Sequence, residues 1–196
     1  MSSEHPAKVP PRGRLFILSG ASGTGKTTLC RKLEKELGVY FSVSATTRAA
    51  RTGEVEGVDY FFLSPEIFQE KIQHHAFLEW ARVHGNFYGT PVQPVEEALS
   101  AGRDVLLDLD TQGAFHVKKL NPEAVLIFLK APTLTDLQKR LEVRGTDSPE
   151  EIQRRIEQAE EEIKQSVYYD YVVVNRDLGQ AETELRAILT SSRGQH

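Results

Sequence analysis

Cysteine is almost missing from this chain: Cys30 is the only one in 196 residues. One thiol cannot close an internal disulfide or build a cysteine-rich zinc cluster. It falls inside an apolar helical pattern, where a packed and inert thiol is the expectation. No apolar run approaches the roughly 20 residues that a membrane helix requires. The opening stretch, "MSSEHPAKVPPRGR", lacks the apolar core of a signal peptide, so residues 1–13 read as a loose tail and the expected location is the cytoplasm. Neither sign of charge dominates. The formal net charge is −4, from 24 Lys and Arg against 28 Asp and Glu, so no global field draws in nucleic acid or a membrane. Any anion site must be made locally.

What is present is an ordinary globular balance, 39% hydrophobic and 27% charged, in a chain long enough for one substantial core. "LFILS", "DVLLDLD", "AVLIFLK" and "YVVVN" are short apolar runs that suit buried parallel strands. Helical patterns lie between them, over 27–37, 112–120, 133–143 and 149–167. In the last, Ile152, Ile156, Ala159, Ile163 and Val167 form one apolar stripe. Alternating strand and helix predicts an α/β fold, a parallel sheet flanked by helices. Residues 40–97 break that rhythm. "FSVSATTR", "VDYFFL" and "FLEWARV" read as short half-polar strands, with a helix opened by Ser64, Pro65 and Glu66. This predicts a small β-rich lobe inserted into the core. "EVRGTDSPEE" is a polar interruption between two helices and a candidate flap.

The stretch "GASGTGKT" matches G-x-x-x-x-G-K-S/T through Gly20, Gly25, Lys26 and Thr27, with a strand before it and a helix after. Glycines let backbone amides curl around a polyphosphate at the positive end of a helix. Lys26 would bridge the β and γ phosphates, and the Thr27 hydroxyl is a Mg²⁺ ligand in such loops. Asp108, closing a strand in a protein with such a loop, suits the acidic residue that holds Mg²⁺ directly or through water.

Arg48 and Arg51, followed by Tyr60, offer a second phosphate site, since guanidinium groups give paired donors to phosphate oxygens. Their spacing alone fits a solvated arginine loop equally well. Glu79 and Asp110 stand among apolar neighbours, where a carboxylate is costly unless donors meet it. Pairing of Glu79 with Arg82, and an N-cap role for Asp110, would be purely structural explanations.

Taken together, "SGASGTGKTTL", "SVSATTR", "GEVEGVDYFF", "FLEWARVHGNFYGT", "DLDTQG" and "KRLEVRGTDS" resemble the guanylate kinases, from Leu15 to about Leu189. The resemblance implies a phosphate-loop kinase core over about 14–43, 98–133 and 157–196. It adds a nucleoside-monophosphate lobe over about 44–97 and a helical lid over about 134–156. The implied reaction moves the γ-phosphoryl group of ATP onto GMP, and onto dGMP, giving ADP and GDP in purine metabolism. Gly20, Ala21, Ser22, Gly23, Thr24, Gly25, Lys26, Thr27 and Thr28 would hold ATP, with Asn175 near the adenine. Ser44, Glu79, Thr90 and Asp110 would surround guanine. Arg48, Arg51, Tyr60 and Tyr88 would hold the GMP phosphate, with Asp108 bordering that site. Lys26, Arg48 and the lid residues Arg140, Arg144 and Arg155 would be the catalytic cations, and Thr27 and Asp108 the Mg²⁺ ligands. Ala50 stands where the family usually has proline, which loosens the loop without removing a phosphate donor.

The chemistry of guanine agrees. Its N1–H and 2-amino group are donors, and ionised carboxylates only accept. AMP would turn a lone pair toward them, and sites left unpaired in this way reject analogues by roughly 10⁴–10⁵-fold. The acceptor phosphate is already ionised at neutral pH, so no general base is required. Arg140 and Arg144 are four apart, a like-charge pair that an anion would relieve, although Asp136 and Glu151 are spaced to pair with Arg140 and Arg155. Partners are therefore ATP and GMP, with no nucleic acid or membrane, in a monomer or homodimer. Two rivals remain: a relative phosphorylating a ribose phosphate ester, and a peptide-binding scaffold module, which typically lacks a complete phosphate loop. His74, His75, His84, Trp80 and the "EEIKQ" stretch carry no functional signal; the last reads as a solvated helix face.

Overall fold

The computed structural model describes residues 11–191, apart from His84 and Thr146. Most of the expected tail and His84 thus lie outside the described residues. Strand β1 (Leu15–Ser19) is buried along its whole length. Leu15 and Ile17 face one cluster, with Val95, Leu99, Leu107 and Phe128. Phe16 and Leu18 face the other, with Leu29, Leu33, Ile127 and Leu185. Burial on both faces is why the strand reads as a continuous apolar run rather than an alternation.

Around β1 the chain builds a five-stranded sheet from β2 (Tyr40–Phe41), β7 (Val105–Asp108), β8 (Val125–Lys130) and β9 (Tyr171–Val174). Its order is β2-β7-β1-β8-β9, and every pairing is parallel. Helices α1 (Lys26–Leu37) and α7 (Leu178–Ser191) cover one face; α3 (Val92–Ser100) and α4 (Thr111–Leu120) cover the other. The buried Cys30 thiol is pushed up from its ordinary pKa, chiefly by desolvation, as befits a packing residue.

The second sheet holds β3 (Ala45–Thr46), β4 (Phe61–Phe62), β5 (Phe77–Val83) and β6 (Asn86–Pro91), in the order β4-β3-β6-β5. "FSVSATTR" therefore does not make one strand. Tyr40–Phe41 joins the parallel sheet beside β7, and only Ala45–Thr46 enters the second sheet. Helix α2 (Pro65–Gln73) starts where the sequence predicts, with the Ser64 hydroxyl accepting the Ile67 amide at 3.3 Å. Its Phe68 is 0% exposed and stacks on Phe77 at 4.4 Å and Phe87 at 5.4 Å between ring centroids. Trp80 meets Phe87 edge-on and remains 48% exposed.

Helices α5 (Leu134–Arg144) and α6 (Pro149–Gln165) run from either side of the polar interruption. Gly145 ends α5 in a left-handed conformation, and Ser148 with Glu151 forms a capping box opening α6. Leu137, Leu141, Ile152 and Ala159 pack with Ala21 and Ala131, which ties this helix pair to the glycine-rich loop. The apolar stripe of α6 is shorter than its pattern. The helix stops at Gln165, a 3₁₀ turn follows, and Val167 is 77% exposed.

Replacing Phe68 by alanine should remove about 3–5 kcal/mol of stability, the usual range for a buried aromatic, as measured by urea unfolding.

Candidate active site

Parallel strands end on the same edge of a sheet, so their carboxyl ends gather there. Pairing of Leu18 with Asp108 and of Ser19 with Phe128 sets the tip of β7 and the body of β8 beside the loop that leaves β1. That loop needs its glycines for two different reasons. Gly20 has φ 139° and lies so close to β8 that a Cβ would sit 2.0 Å from the Leu129 carbonyl oxygen. Gly25, at φ 97°, would bring a Cβ within 2.9 Å of Asn175 Nδ2. Thr24 Oγ1 donates to the Ala21 carbonyl at 2.8 Å. Lys26 Nζ donates to the Gly20 carbonyl and, at 3.2 Å, to that of Ala21. It lies 3.9 Å from Asp108 Oδ1.

Thr27 Oγ1 donates to Asp108 Oδ2 at 3.0 Å. Burial raises the Asp108 pKa, while Lys26 and the Thr27 hydroxyl oppose the rise. No set of three His, Cys, Asp or Glu side chains suited to a metal occurs among the described residues. A hydroxyl and one carboxylate at the mouth of a phosphate loop fit Mg²⁺, which draws most of its ligands from phosphate and water.

In front of the loop lies a cleft of about 540 Å³. Ser44, Arg48, Arg51, Tyr60, Asp108, Asp110 and Arg144 line it together with Lys26 and Thr27. Residues as far apart in sequence as Lys26 and Arg144 are thus collected around one space. Arg48 is aimed by Glu54, which accepts at 2.8 and 3.0 Å from its two terminal nitrogens and at 2.7 Å from the Arg51 amide. Its guanidinium also stands 5.4 Å from the Tyr60 ring centroid. Tyr60 and Tyr88 meet edge-on at 6.0 Å. The arginine loop is therefore a braced cation site, and Glu54 is a member that no spacing rule singled out. Ala50 is exposed beside it.

Glu79 and Asp110 converge from different sheets. β5 and β6 pair Glu79 with Thr90, so Thr90 Oγ1 donates to Glu79 Oε1 at 2.7 Å. Thr90 itself is 1% exposed. Asp110 caps α4 by accepting the Gly113 amide at 2.7 Å. The structural explanation for Asp110 is thus real, whereas Glu79 turns to Thr90 and Arg82 lies over the Phe87 ring. Asp110 lines the phosphate cleft, while Glu79 lines an adjoining cavity of about 620 Å³ with Trp80, Gly113 and His116. Desolvation raises the Glu79 pKa to about 7, with Asp110 adding to the rise and Thr90 opposing it.

The helix-borne arginines differ among themselves. Arg144 lines the cleft. Arg155 reaches the loop, donating to Ser22 Oγ at 2.7 Å and to Asp147 at 3.2 Å. Arg140 instead donates to the Asn175 carbonyl at 2.7 Å. The spaced acids do not serve them: Asp136 accepts the Thr133 hydroxyl, and Glu151 accepts the Ser148 amide. Asn175 is 2% exposed and lies beneath the loop, where its side-chain amide donates to the Thr24 carbonyl at 2.7 Å. It buttresses the loop and has no surface to offer an adenine ring in this conformation. The "EEIKQ" stretch also needs correction. Glu162 lines the phosphate cleft with Gln158, its Oε2 is buried without a partner among the described residues, and burial raises its pKa. Its signal was the i, i+3, i+7 series Arg155, Gln158, Glu162, which runs beside the apolar stripe of α6.

A parallel sheet whose central strand opens into this loop, with cations gathered over it, defines a phosphate-loop kinase. The sequence profile of the guanylate kinase family matches residues 12–192. A guanylate kinase of Thermus thermophilus is 52% identical over 182 residues, 93% of this chain and 83% of that protein. One from Neisseria meningitidis is 51% identical over 183 residues, 93% of this chain and 89% of its own. The crystal structure of a guanylate kinase from Anaplasma phagocytophilum superposes with a TM-score of 0.79 at 33% identity, covering 95% of this chain and 89% of that one. A gluconokinase from Sinorhizobium meliloti, at 16% identity and a TM-score of 0.52, shares the fold. The chain belongs to the guanylate kinase family of enzymes.

Burial of Glu79 has a measurable consequence. At pH 4 it is protonated in folded and unfolded chains alike. As pH rises the unfolded chain ionises first, so stability falls until the folded group ionises near pH 7. Glu79→Gln, which carries no charge, should therefore raise the apo melting temperature by roughly 5 °C at pH 8 and leave it nearly unchanged at pH 4.5. Thermal melts at both values test this.

Proposed function

We propose that the protein transfers the γ-phosphoryl group of ATP to GMP, and to dGMP, releasing ADP and GDP. The observation that carries this reading is the convergence of Glu79 and Asp110 beside a complete phosphate loop. Paired acceptors suit the N1–H and 2-amino donors of guanine, and Thr90 and Ser44 supply hydroxyls for the rest of its edge. The relatives named above are guanylate kinases, which supports the same substrate. A ribose phosphate ester has hydroxyls but no planar pair of N–H donors to match this acid pair, and an intact Lys26 and Thr27 argue against a purely peptide-binding role.

In this reading 44–97 forms the GMP lobe and 134–156 the lid, with the remainder as core, and the enzyme works in the cytoplasm. Catalysis is alignment and charge neutralisation. Loop amides and Lys26 take the triphosphate; for this Lys26 must leave the Gly20 and Ala21 carbonyls. Arg48, Arg51, Tyr60 and Tyr88 fix the acceptor phosphate, whose oxygen attacks the γ-phosphorus directly, so no residue acts as base. Arg144 and Arg155 brace the charge that develops during transfer, and Arg140 joins them only by giving up the Asn175 carbonyl. Thr27 and Asp108 would hold Mg²⁺, which offsets charge on the bridging phosphates. Ionised Glu79 offers guanine two acceptor oxygens, whereas its protonated form presents an O–H donor in place of one, so GMP binding favours release of the proton that burial retains.

Four measurements test these assignments. A coupled assay of ADP release should show turnover with GMP and none with AMP, UMP or ribose 1,5-bisphosphate. Arg144→Ala should lower kcat about tenfold or more with the fold intact. Glu79→Gln should raise the KM for GMP by about 100-fold or more while ATP binding is kept. The KM for GMP should fall as pH rises from about 6 to 8, as Glu79 gives up its proton. Unchanged GMP use by Glu79→Gln would overturn the placement of that residue.

A further inference from the structure

Gly113 has no backbone reason to be glycine. It is the third residue of α4, it is buried, and it is not among the glycines with positive φ. Its amide bond to Asp110 would survive in any residue but proline. In such a position alanine is the better helix former. What glycine avoids is crowding. A Cβ would stand 3.1 Å from Glu79 Oε2, 3.4 Å from Glu79 Cδ and 3.2 Å from Asp110 Oδ1. Neither carboxylate is a loose end that could step aside. Thr90 holds Glu79 at 2.7 Å, and Asp110 is committed to capping α4.

We propose that Gly113 is a specificity-determining positioning residue: its missing side chain is the space in which the carboxyl groups of Glu79 and Asp110 close to the separation that one purine edge demands. The inference rests on the guanine reading above and adds a residue that touches no part of the reaction. A methyl group at this position would push the two acceptors apart by a few tenths of an ångström. It would leave the phosphate loop and the arginines as they are. The effect should therefore fall on GMP recognition alone.

The test is Gly113→Ala, with Lys119→Ala, an exposed change later in the same helix, as control. Gly113→Ala should raise the KM for GMP by about tenfold or more, with kcat and the KM for ATP little changed and Lys119→Ala like the parent. A GMP KM within about twofold of the parent overturns the inference. A parent enzyme that does not use GMP at all overturns the substrate reading instead. The crowding is then read without substrate, from melting temperatures of Gly113→Ala made in the parent and in a Glu79→Ala background. Alanine should raise the melting temperature more, or lower it less, once the Glu79 side chain is gone. Equal shifts in the two backgrounds overturn the inference. Should Gly113→Ala alone fail to fold, a folded double variant supports it and an unfolded one overturns it.

Discussion

The parallel pairing of β1 with β7 on one edge and β8 on the other sets the geometry of the phosphate-binding half of the molecule. A strand buried on both faces and bonded on both edges is held in place by ladder hydrogen bonds on either side and by close packing of side chains on each face. Its last residue, Ser19, is consequently fixed beside Phe128, and the chain beyond it must bend away under the Leu129 carbonyl. Only glycine fits at that bend. The amides that follow are left without strand partners and open toward the helix terminus of α1, a ready site for anions in a protein whose net charge is negative.

Around this loop the cations are held in advance. Glu54 fixes Arg48, Asp147 and Ser22 fix Arg155, and the Asn175 carbonyl fixes Arg140. Partly exposed ion pairs of this kind add little to stability. Their contribution is orientation, since a guanidinium already aimed loses less freedom when a phosphate arrives. Asn175 serves the same end from below, anchoring both the loop through Thr24 and α5 through Arg140.

In the proposed guanine reading, Glu79 sets function against stability. Glu79 is half-buried against a fully buried threonine where an apolar cluster would be more stable, and desolvation is the dominant influence on its carboxyl. Such sites persist because activity needs them, which is why substitutions that stabilise a resting enzyme so often damage it.

Much of the parallel core was legible from sequence. Apolar runs, the Gly38 stop of α1 and the Ser64 cap of α2 are local signals, and the helices begin within a residue or so of their patterns. β6 was not legible, because "NFYGTP" mixes glycine, proline and polar residues and becomes a strand only through pairing with β5. α7 was not read from the sequence, although Asp177 opens it by accepting the Gln180 amide at 2.9 Å. The loop motif and the resemblance of its blocks identified the family and the residues to watch. They could not say that Arg140 turns to Asn175, that Glu54 aims Arg48, or that Glu162 enters the cleft. By itself the sequence determined most strands and helices of the parallel core and the position of the phosphate loop, because those depend on neighbours a few residues apart. Only the tertiary structure decided which acids and bases meet, because burial and hydrogen bonding between Glu79, Thr90, Asp110 and Gly113 exist only once two sheets are brought against one helix.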